Sequence, residues 1–500
     1  MLLLGIDIGT SSIKVSVVDG ETQNSIASAQ YPETESEIIS LQSGWAEQSP
    51  DKWWEDVQQA IKKVNSSGKY NPQDIGAIGI AYQMHGLVLL DKDGKVLRNS
   101  IIWCDSRAVP YGEKAFKNIG QSECLVSLLN SPGNFTAAKL AWVKEKEPQI
   151  FERINKIMLP GDFIAQRLTG TITTSASSLS EGIFWNFKTG SISEEVMSEF
   201  GFDKKIIPHV QDVFSEHGTL SPELAKKLSL KAGIPVTYKA GDQPNNALAL
   251  NVLEPGEVAA TAGTSGVIYG VSDELTFDPQ SRVNSFAHVN HTEKENRVGV
   301  LLCINGTGIL NKWIHTIAGG GLSYAQMDKQ AATVNAGSDG VIILPFGNGV
   351  ERMLNNRMIG SHIHGIDFNK HTAAHLFRAA QEGIAFAFRY GLDIMRENGM
   401  NPQLIRAGKA NMFMSDVFRH AFVNATGVPV ELYESDGSVG AALGAGIGAG
   451  YFKQSSEAFA RREVLDIIVP DKTDLYNELY ARWKAVLDGH LESLIFHGRS

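Results

Sequence analysis

Several common protein features are scarce or missing in this sequence. Its 500 residues contain three cysteines, Cys104, Cys124 and Cys303. They stand at no metal-ligand spacing and three cannot all pair, so a disulfide framework is not expected, and a reducing, cytoplasmic setting is. No run of about 20 apolar residues occurs, and the opening MLLLG meets Asp7 before it reaches the length of a leader, so no membrane span is expected. Basic blocks are missing too: 45 Lys and Arg face 55 Asp and Glu, for a net charge of -10. Nucleic acid and anionic membranes, which recruit clustered cations, are therefore not expected as partners. An anionic substrate would have to be held by backbone N–H groups and a metal.

Two familiar phosphate-binding signatures are also lacking. No G-x-x-x-x-G-K-[ST] occurs, because Gly408-Lys409 is followed by Ala410 and has no upstream glycine at the required place. GAGIGAG, residues 444–450, misses the dinucleotide fingerprint, with Ala449 where the last glycine belongs. That tract reads instead as a buried small-residue helix at a packed interface.

What is present is an ordinary globular composition, 43% hydrophobic with 49 glycines, and a chain too long for one core. Two domains are expected, 1–245 and 246–500. Each half holds the same pattern of strand, polar turn and strand: LLLGIDIGTSSIKVSVVD near the start, EVAATAGTSGVIYGVS later. The likeness suggests an internal duplication. Strands are expected at 2–6 and 13–18, then a helix capped by Ser49 with Pro50 first and Trp54, Val57, Ile61 and Val64 in one stripe. Strands then alternate with helices, including NFTAAKLAWVKEKEP ended by Pro148, a long helix over about 371–397 and a last one over about 471–494. This is α/β logic.

The chemistry concentrates at turns. Asp7 ends a strand where the chain turns through Gly9, so the N–H groups of Gly9, Thr10, Ser11 and Ser12 can face phosphate oxygens while Asp7 orients a magnesium ion. An ordinary turn held by local hydrogen bonds explains Asp7 as well. The second turn, Gly263-Thr264-Ser265-Gly266, adds hydroxyl donors and glycines that permit close approach. Two such turns facing each other would neutralise a triphosphate without a basic patch. Asp242 ends the strand VTYKAG and is the candidate to accept a proton from an attacking alcohol, with a helix cap or loop aspartate as the alternative. Gln83-Met84-His85-Gly86, Trp103, Asp105 and Arg107 lie in two loops whose polar groups and one large aromatic suit a polyol. His362 and His364 fall on one face of a strand, but no third ligand stands at a diagnostic spacing, and no zinc site is expected.

Taken together, GIDIGTSS, YQMHG, WCDSRA, NFTAAKLAWVKEKEP, GDQ, AGTSG, IHGIDFNKHTAAHLFRAAQEGIAFAFR, IRAGKANMFMSDVF and DGSVGAALGAG run almost end to end through the chain. With them the chain resembles the FGGY family of carbohydrate kinases, its xylulose-phosphorylating branch above all. The resemblance implies an α/β fold of two domains of the actin-like ATPase (ribonuclease-H-like) type, with ATP and Mg2+ in a central inter-domain cleft. It implies Asp242 as catalytic base and as a group near the metal, with Gln243 beside it at the substrate, and Asp7 supporting magnesium. It also implies that the first and second Gly-Thr turns meet phosphates and that Met84, His85 and Trp103 meet the sugar. Gly408, Lys409 and Asn411 resemble the adenosine-contacting loop.

The implied reaction is phosphorylation of D-xylulose at its terminal hydroxyl, giving xylulose 5-phosphate and ADP. Two places depart from the branch: Asp242-Gln243 replaces its usual Asp-Asn and continues Pro244-Asn245-Asn246, and Ala407-Gly408-Lys409-Ala410 lacks the customary glycine pair. Glycerol, ribulose, gluconate and sedoheptulose stay open as acceptors, as does an ATP-binding regulatory protein without turnover. A homodimer is left open.

Overall fold

The computed structural model describes residues 1–497. The opening pattern folds as a hairpin: β1 (Leu2–Ile8) pairs antiparallel with β2 (Ile13–Asp19), and Asp7 sits opposite Lys14. Alternation of apolar residues buries Ile13, Val15 and Val17 on one side, as a strand of period two requires. β3 (Ser25–Tyr31) extends the hairpin antiparallel, while β4 (Ile75–Tyr82) and β5 (Val236–Gly241) lie on the other side of β1 and run parallel to it. The order is β5-β4-β1-β2-β3.

The second sheet repeats this plan. β6 (Val258–Ala262) and β7 (Gly266–Ser272) are the hairpin, β8 (Asn284–Ala287) is an added edge, and β9 (Val298–Ile304) is the antiparallel third strand. β10 (Ile405–Gly408) and β11 (Val430–Tyr433) run parallel beside β6, and β12 (Asp466–Ile468) closes the far edge. The order is β8-β9-β7-β6-β10-β11-β12. Without the two edges, strands 3-2-1-4-5 recur with the same directions, so the repeated turn marks a repeated sheet. The result is two α/β halves with mixed sheets, resembling the actin-like ATPase fold. Position 245 falls within a helix.

Nine helices position the site: α1 (Pro50–Asn65), α2 (Thr136–Lys146), α3 (Ala176–Glu181), α4 (Asp242–Ala249), α5 (Gly308–Ala318), α6 (Ala373–Glu397), α7 (Asp416–Thr426), α8 (Gly437–Gly448) and α9 (Thr473–His497). Ser49 caps α1 by accepting the Lys52 N–H, as the sequence indicates. The buried stripe, however, carries Trp53 rather than Trp54, and the Trp53 indole donates to Gln48 at 3.1 Å. α4 starts at the residue after β5, a strand-to-helix step of which the sequence reading caught only the strand.

α8 is the small-residue tract, and its glycines and alanines lie against the first sheet. A Cβ on Gly5 would stand 1.8 Å from the Ser438 carbonyl oxygen, and one on Gly79 1.9 Å from that of Ala441. The Ser16 and Ser438 hydroxyls meet at 2.8 Å, and Thr237 donates to the Ala445 carbonyl at 2.8 Å. A helix from the second half is thus packed backbone to backbone on the sheet of the first. In return, edge strand β8 meets the first half: Ser285 N–H donates to Asn130 at 3.0 Å and Ala287 N–H to Ser180 at 2.9 Å. All three cysteines are free, and among the described residues no helix is long and apolar enough to cross a membrane.

Candidate active site

Three of the motifs leave the first sheet side by side. β1, β4 and β5 are adjacent and parallel, with Ile8 level with Tyr82 and Tyr82 level with Gly241. The turn after Asp7, the loop from Gln83 and the step to Asp242 therefore open at one edge, the carboxyl ends of parallel strands, where α/β sheets present ligand sites. The second sheet does the same. β6 ends just before Gly263, β10 in Gly408 and β11 in Tyr433, with Ala260 level with Ala407 and Gly408 level with Tyr433. From Tyr433 the chain passes through Asp436 into α8, whose first residue, Gly437, abuts Asp7.

The charge of Asp7 bears on Asp242, and that of Asp436 on Asp7. Burial, and secondly the charge of Asp436, push the Asp7 carboxyl up to about 6, against the pull of Lys14. Burial, and secondly Asp7, push Asp242 up to about 7, against hydrogen bonds from the Gln243 side chain and backbone. Like charges held together in a partly desolvated place raise each other's pKa, and a hard divalent cation relieves both. Lys14 lies 3.5 Å from Asp436, so it answers that carboxylate first. Asn245, part of the departure after Asp242, donates to the Gly437 carbonyl at 2.9 Å and ties α4 to α8.

The first turn is closed by Gly9 N–H donating to the Ser12 carbonyl at 3.1 Å, with Ser11 exposed. Thr264 and Ser265 of the second turn are exposed as well. That turn rests on the start of α5: Gly308 N–H donates to the Gly263 carbonyl at 2.9 Å, and Ile309 N–H to that of Thr264 at 3.1 Å. Gly266 has no room for a side chain, since a Cβ would meet Phe388 and the Thr307 hydroxyl at 2.6 Å. Asn411, in the left-handed region with φ 53°, brings its amide within 3.7 Å of where a Gly263 Cβ would be, and Gly408 and Lys409 lead into the same corner. A cavity of about 360 Å³ adjoins it, lined by Ile309 and Trp313 of α5 and by Asn348, Ser361 and Ile363.

The Met84–His85 loop is built from below. Met84 is buried against Gly241, where a Cβ would stand 2.7 Å from its Cγ. His85 takes φ 63°, and its backbone N–H donates to Glu181 at 3.1 Å. Its Nδ1 lies 3.0 Å from the Glu181 carbonyl oxygen, which can only accept, so Nδ1 carries the proton and Nε2 the lone pair. Burial, then the charges of Lys139 and Arg352, push the imidazole down to about 3 and keep it neutral. Its ring packs edge-on to Phe135 at 4.8 Å and near Phe286 of β8 at 5.5 Å.

Trp103 is half-exposed, and its indole donates to Thr10 Oγ1 at 2.9 Å. Thr10 in turn donates to Gln83 at 3.3 Å, and Gln83 to Gln48 at 3.0 Å, so Gln83 is buried in a network linking the Gln83 and Trp103 loops to the first turn. Asp105 and Arg107 have other partners than the polyol expected from sequence. They form a buried bidentate pair with Arg107 Nη2 2.7 Å from Asp105, while Arg107 Nη1 donates to Glu47 at 2.7 Å. The guanidinium lies 3.7 Å from the Trp45 ring centroid, and Asp105 also accepts the Ala46 N–H. This pair shapes the loop that carries Trp103.

Three residues at the site escaped the sequence reading. Glu181 ends α3 and accepts the Tyr82 hydroxyl at 2.7 Å; burial holds its carboxyl well above the usual range, against the bonds from Tyr82 and His85. Lys139 of α2 is fully buried and donates to the His85 carbonyl at 2.8 Å, with burial pushing it down to about 7. Arg352 donates to the Ser281 carbonyl at 2.7 Å and its charge reaches His85. The available signal was a lysine and a glutamate, each on the buried face of its own helix; Arg352 opens a single 3-10 turn, Arg352–Leu354, with no motif.

Residues 2–249 match the N-terminal domain of the FGGY family of carbohydrate kinases, and residues 258–451 its C-terminal domain. The chain is 30% identical over 448 residues to a xylulose kinase of Escherichia coli (strain K12), covering 89% of this chain and 88% of that one. A xylulose kinase crystal structure from Rhodospirillum rubrum superposes with a TM-score of 0.88 at 26% identity, over 98% of this chain and 99% of that one. A gluconate kinase structure from Lactobacillus acidophilus shares the fold with a TM-score of 0.87 at 23% identity, over 98% of each. The chain belongs to the FGGY family of carbohydrate kinases.

Proposed function

We propose that this kinase transfers the γ-phosphoryl group of ATP to the terminal hydroxyl of D-xylulose, with Asp242 as the base. The observation that carries the reading is the convergence of Asp7, Met84–His85 and Asp242 at one sheet edge. A carboxyl poised near 7 can be ionised and still accept a proton at neutral pH. In a loose phosphoryl transition state the hydroxyl oxygen bonds to phosphorus as the bond to the β-phosphate oxygen breaks. Asp242 would orient that hydroxyl and take its proton late, leaving ADP and the sugar phosphate.

The paired carboxylates fit a magnesium ion, which when bound supplies positive charge to the phosphates. Asp7 would hold it with Asp242, while Thr10–Ser12 and Gly263–Gly266 would offer N–H and hydroxyl donors from the two halves; the Gly9 N–H, expected from the sequence to face phosphate, is instead spent on the Ser12 carbonyl. Gly408, Lys409 and Asn411 would meet the nucleoside beside the cavity at α5. The bare Nε2 of His85 can accept from a sugar hydroxyl, and the exposed ring of Trp103 can cover a carbon face.

The xylulose assignment rests on the QMHG loop and on the names of the relatives. The Asp242-Gln243 pair and the shared fold of a gluconate kinase favour a second reading, another ketose or polyol as acceptor. A panel of xylulose, ribulose, sedoheptulose, gluconate and glycerol with ATP, followed by coupled ADP release, separates them. The proposal expects xylulose to give the highest kcat/KM.

A further inference from the structure

Far from the aspartates in sequence, a hairpin of Ile342–Phe346 with Gly360–His364 lies between β9 and β10 in the chain. Strand alternation puts His362 and His364 on one of its faces and Ser361 and Ile363 on the other, toward the cavity at α5. The sequence offered no third ligand, but α9 brings one from 126 residues away: His490 Nε2 lies 3.0 Å from His364 Nε2. The His490 and His362 rings stack with centroids 3.8 Å apart. One ligand atom from each of the three lies within 4.8 Å of the others, and all three side chains are half-buried.

We propose that His362, His364 and His490 bind a divalent transition cation of the zinc class, at a site separate from the magnesium-type carboxylates. Three imidazoles without a carboxylate or thiolate select zinc, nickel or copper over magnesium or calcium. Nitrogens bound at about 2.0–2.1 Å to one tetrahedral ion stand roughly 3.3 Å apart, close to the spacing of His364 and His490 already present. His362 is the third member: its Nε2 lies 2.8 Å from the Ile359 carbonyl oxygen, so that nitrogen carries the proton and Nδ1 is left as the ligating atom. A ligand histidine whose other nitrogen donates to a backbone carbonyl is the usual arrangement around a bound ion. The fourth position stays open to water. Loaded, the site clamps α9 to the strand whose opposite face lines the cavity.

The test uses the full chain without a histidine tag, stripped with a chelator and kept in excess Mg2+ so that the carboxylates are occupied. Zinc is titrated in competition with a chromophoric chelator, and melting is followed with and without it. We expect one zinc equivalent, a rise in Tm on loading, and imidazole nitrogens in the X-ray absorption spectrum. His364→Ala and His490→Ala should each weaken binding about 10–100-fold and abolish the Tm rise, while His209→Ala, an exposed histidine elsewhere, changes neither. His364→Asn and His490→Gln replace the alanine variants if those do not fold. Zinc bound equally by these variants and the parent, no stoichiometric zinc in the parent, or a spectrum without imidazole ligands overturns the proposal.

Discussion

The Asp7 carboxylate rests directly against the first residue of α8: a Cβ on Gly437 would stand 2.4 Å from Asp7 Oδ2. Gly437→Ala must therefore turn the carboxylate or move the helix. The expected outcome is a raised KM for magnesium-ATP with little change in the KM for sugar. Steady-state kinetics at varied magnesium-ATP check it, and an unchanged nucleotide dependence would separate Asp7 from the phosphate site.

The same helix predicts a stability effect away from the chemistry. Gly79 faces the Ala441 carbonyl so closely that an added methyl would stand 1.9 Å from its oxygen, and backbone has little freedom to retreat. Gly79→Ala should cost about 1–3 kcal/mol or more through overpacking. Thermal melting reads this as a lower Tm; a parent-like Tm means that α8 is not pressed on the sheet.

Asp242 gives a pH-dependent stability with a definite sign. Its folded-state carboxyl is raised from 3.8 to about 7, so the folded state binds the proton more tightly than the unfolded chain. The stabilisation is present in full below the unfolded value and is lost as the pH rises through the folded one. Asp242→Asn, which cannot ionise, should accordingly melt higher than the parent at pH 8 without metal, with the gap closing as the pH falls. Equal Tm differences at pH 5 and pH 8 would contradict the raised pKa.

Glu181 supports the Met84–His85 loop, proposed above to meet the sugar, through the His85 N–H and the Tyr82 hydroxyl. Glu181→Gln loses an acceptor oxygen beneath that loop and should raise the sugar KM about tenfold, a cost in line with one disturbed buried hydrogen bond. Nucleotide affinity should stay within about twofold. Isothermal titration with each ligand checks the split; equal losses for both would place Glu181 in the general fold instead.

Much of this architecture could be read from the chain because local patterns were strong. The DIGTSS and AGTSG turns lie between alternating apolar runs, and both became hairpins at the same place in equivalent sheets. The GAALGAGIGAG tract announced a close-packed helix, though not its partner, since contact with Gly5 and Gly79 depends on two sheets meeting in space. Trp53 is the more deeply buried of the two tryptophans, its indole donating to Gln48, while Trp54 packs partly buried against the same cluster. Asp105 and Arg107 looked available to a sugar, yet they neutralise each other beside Trp45, a pairing that loop composition cannot reveal. Glu181 and His490 come from segments with no motif of their own, and Lys139 lies in NFTAAKLAWVKEKEP without any local sign of its partner, so only the tertiary fold brings the three to their partners.

Asp242 is expected to act on the acceptor hydroxyl and not on nucleotide binding. The decisive measurement is the single-turnover rate of phosphoryl transfer to xylulose in Asp242→Asn, beside ATP affinity for the same protein. The rate should fall roughly 10²–10⁴-fold with ATP affinity near that of the parent. A rate close to the parent's contradicts that role.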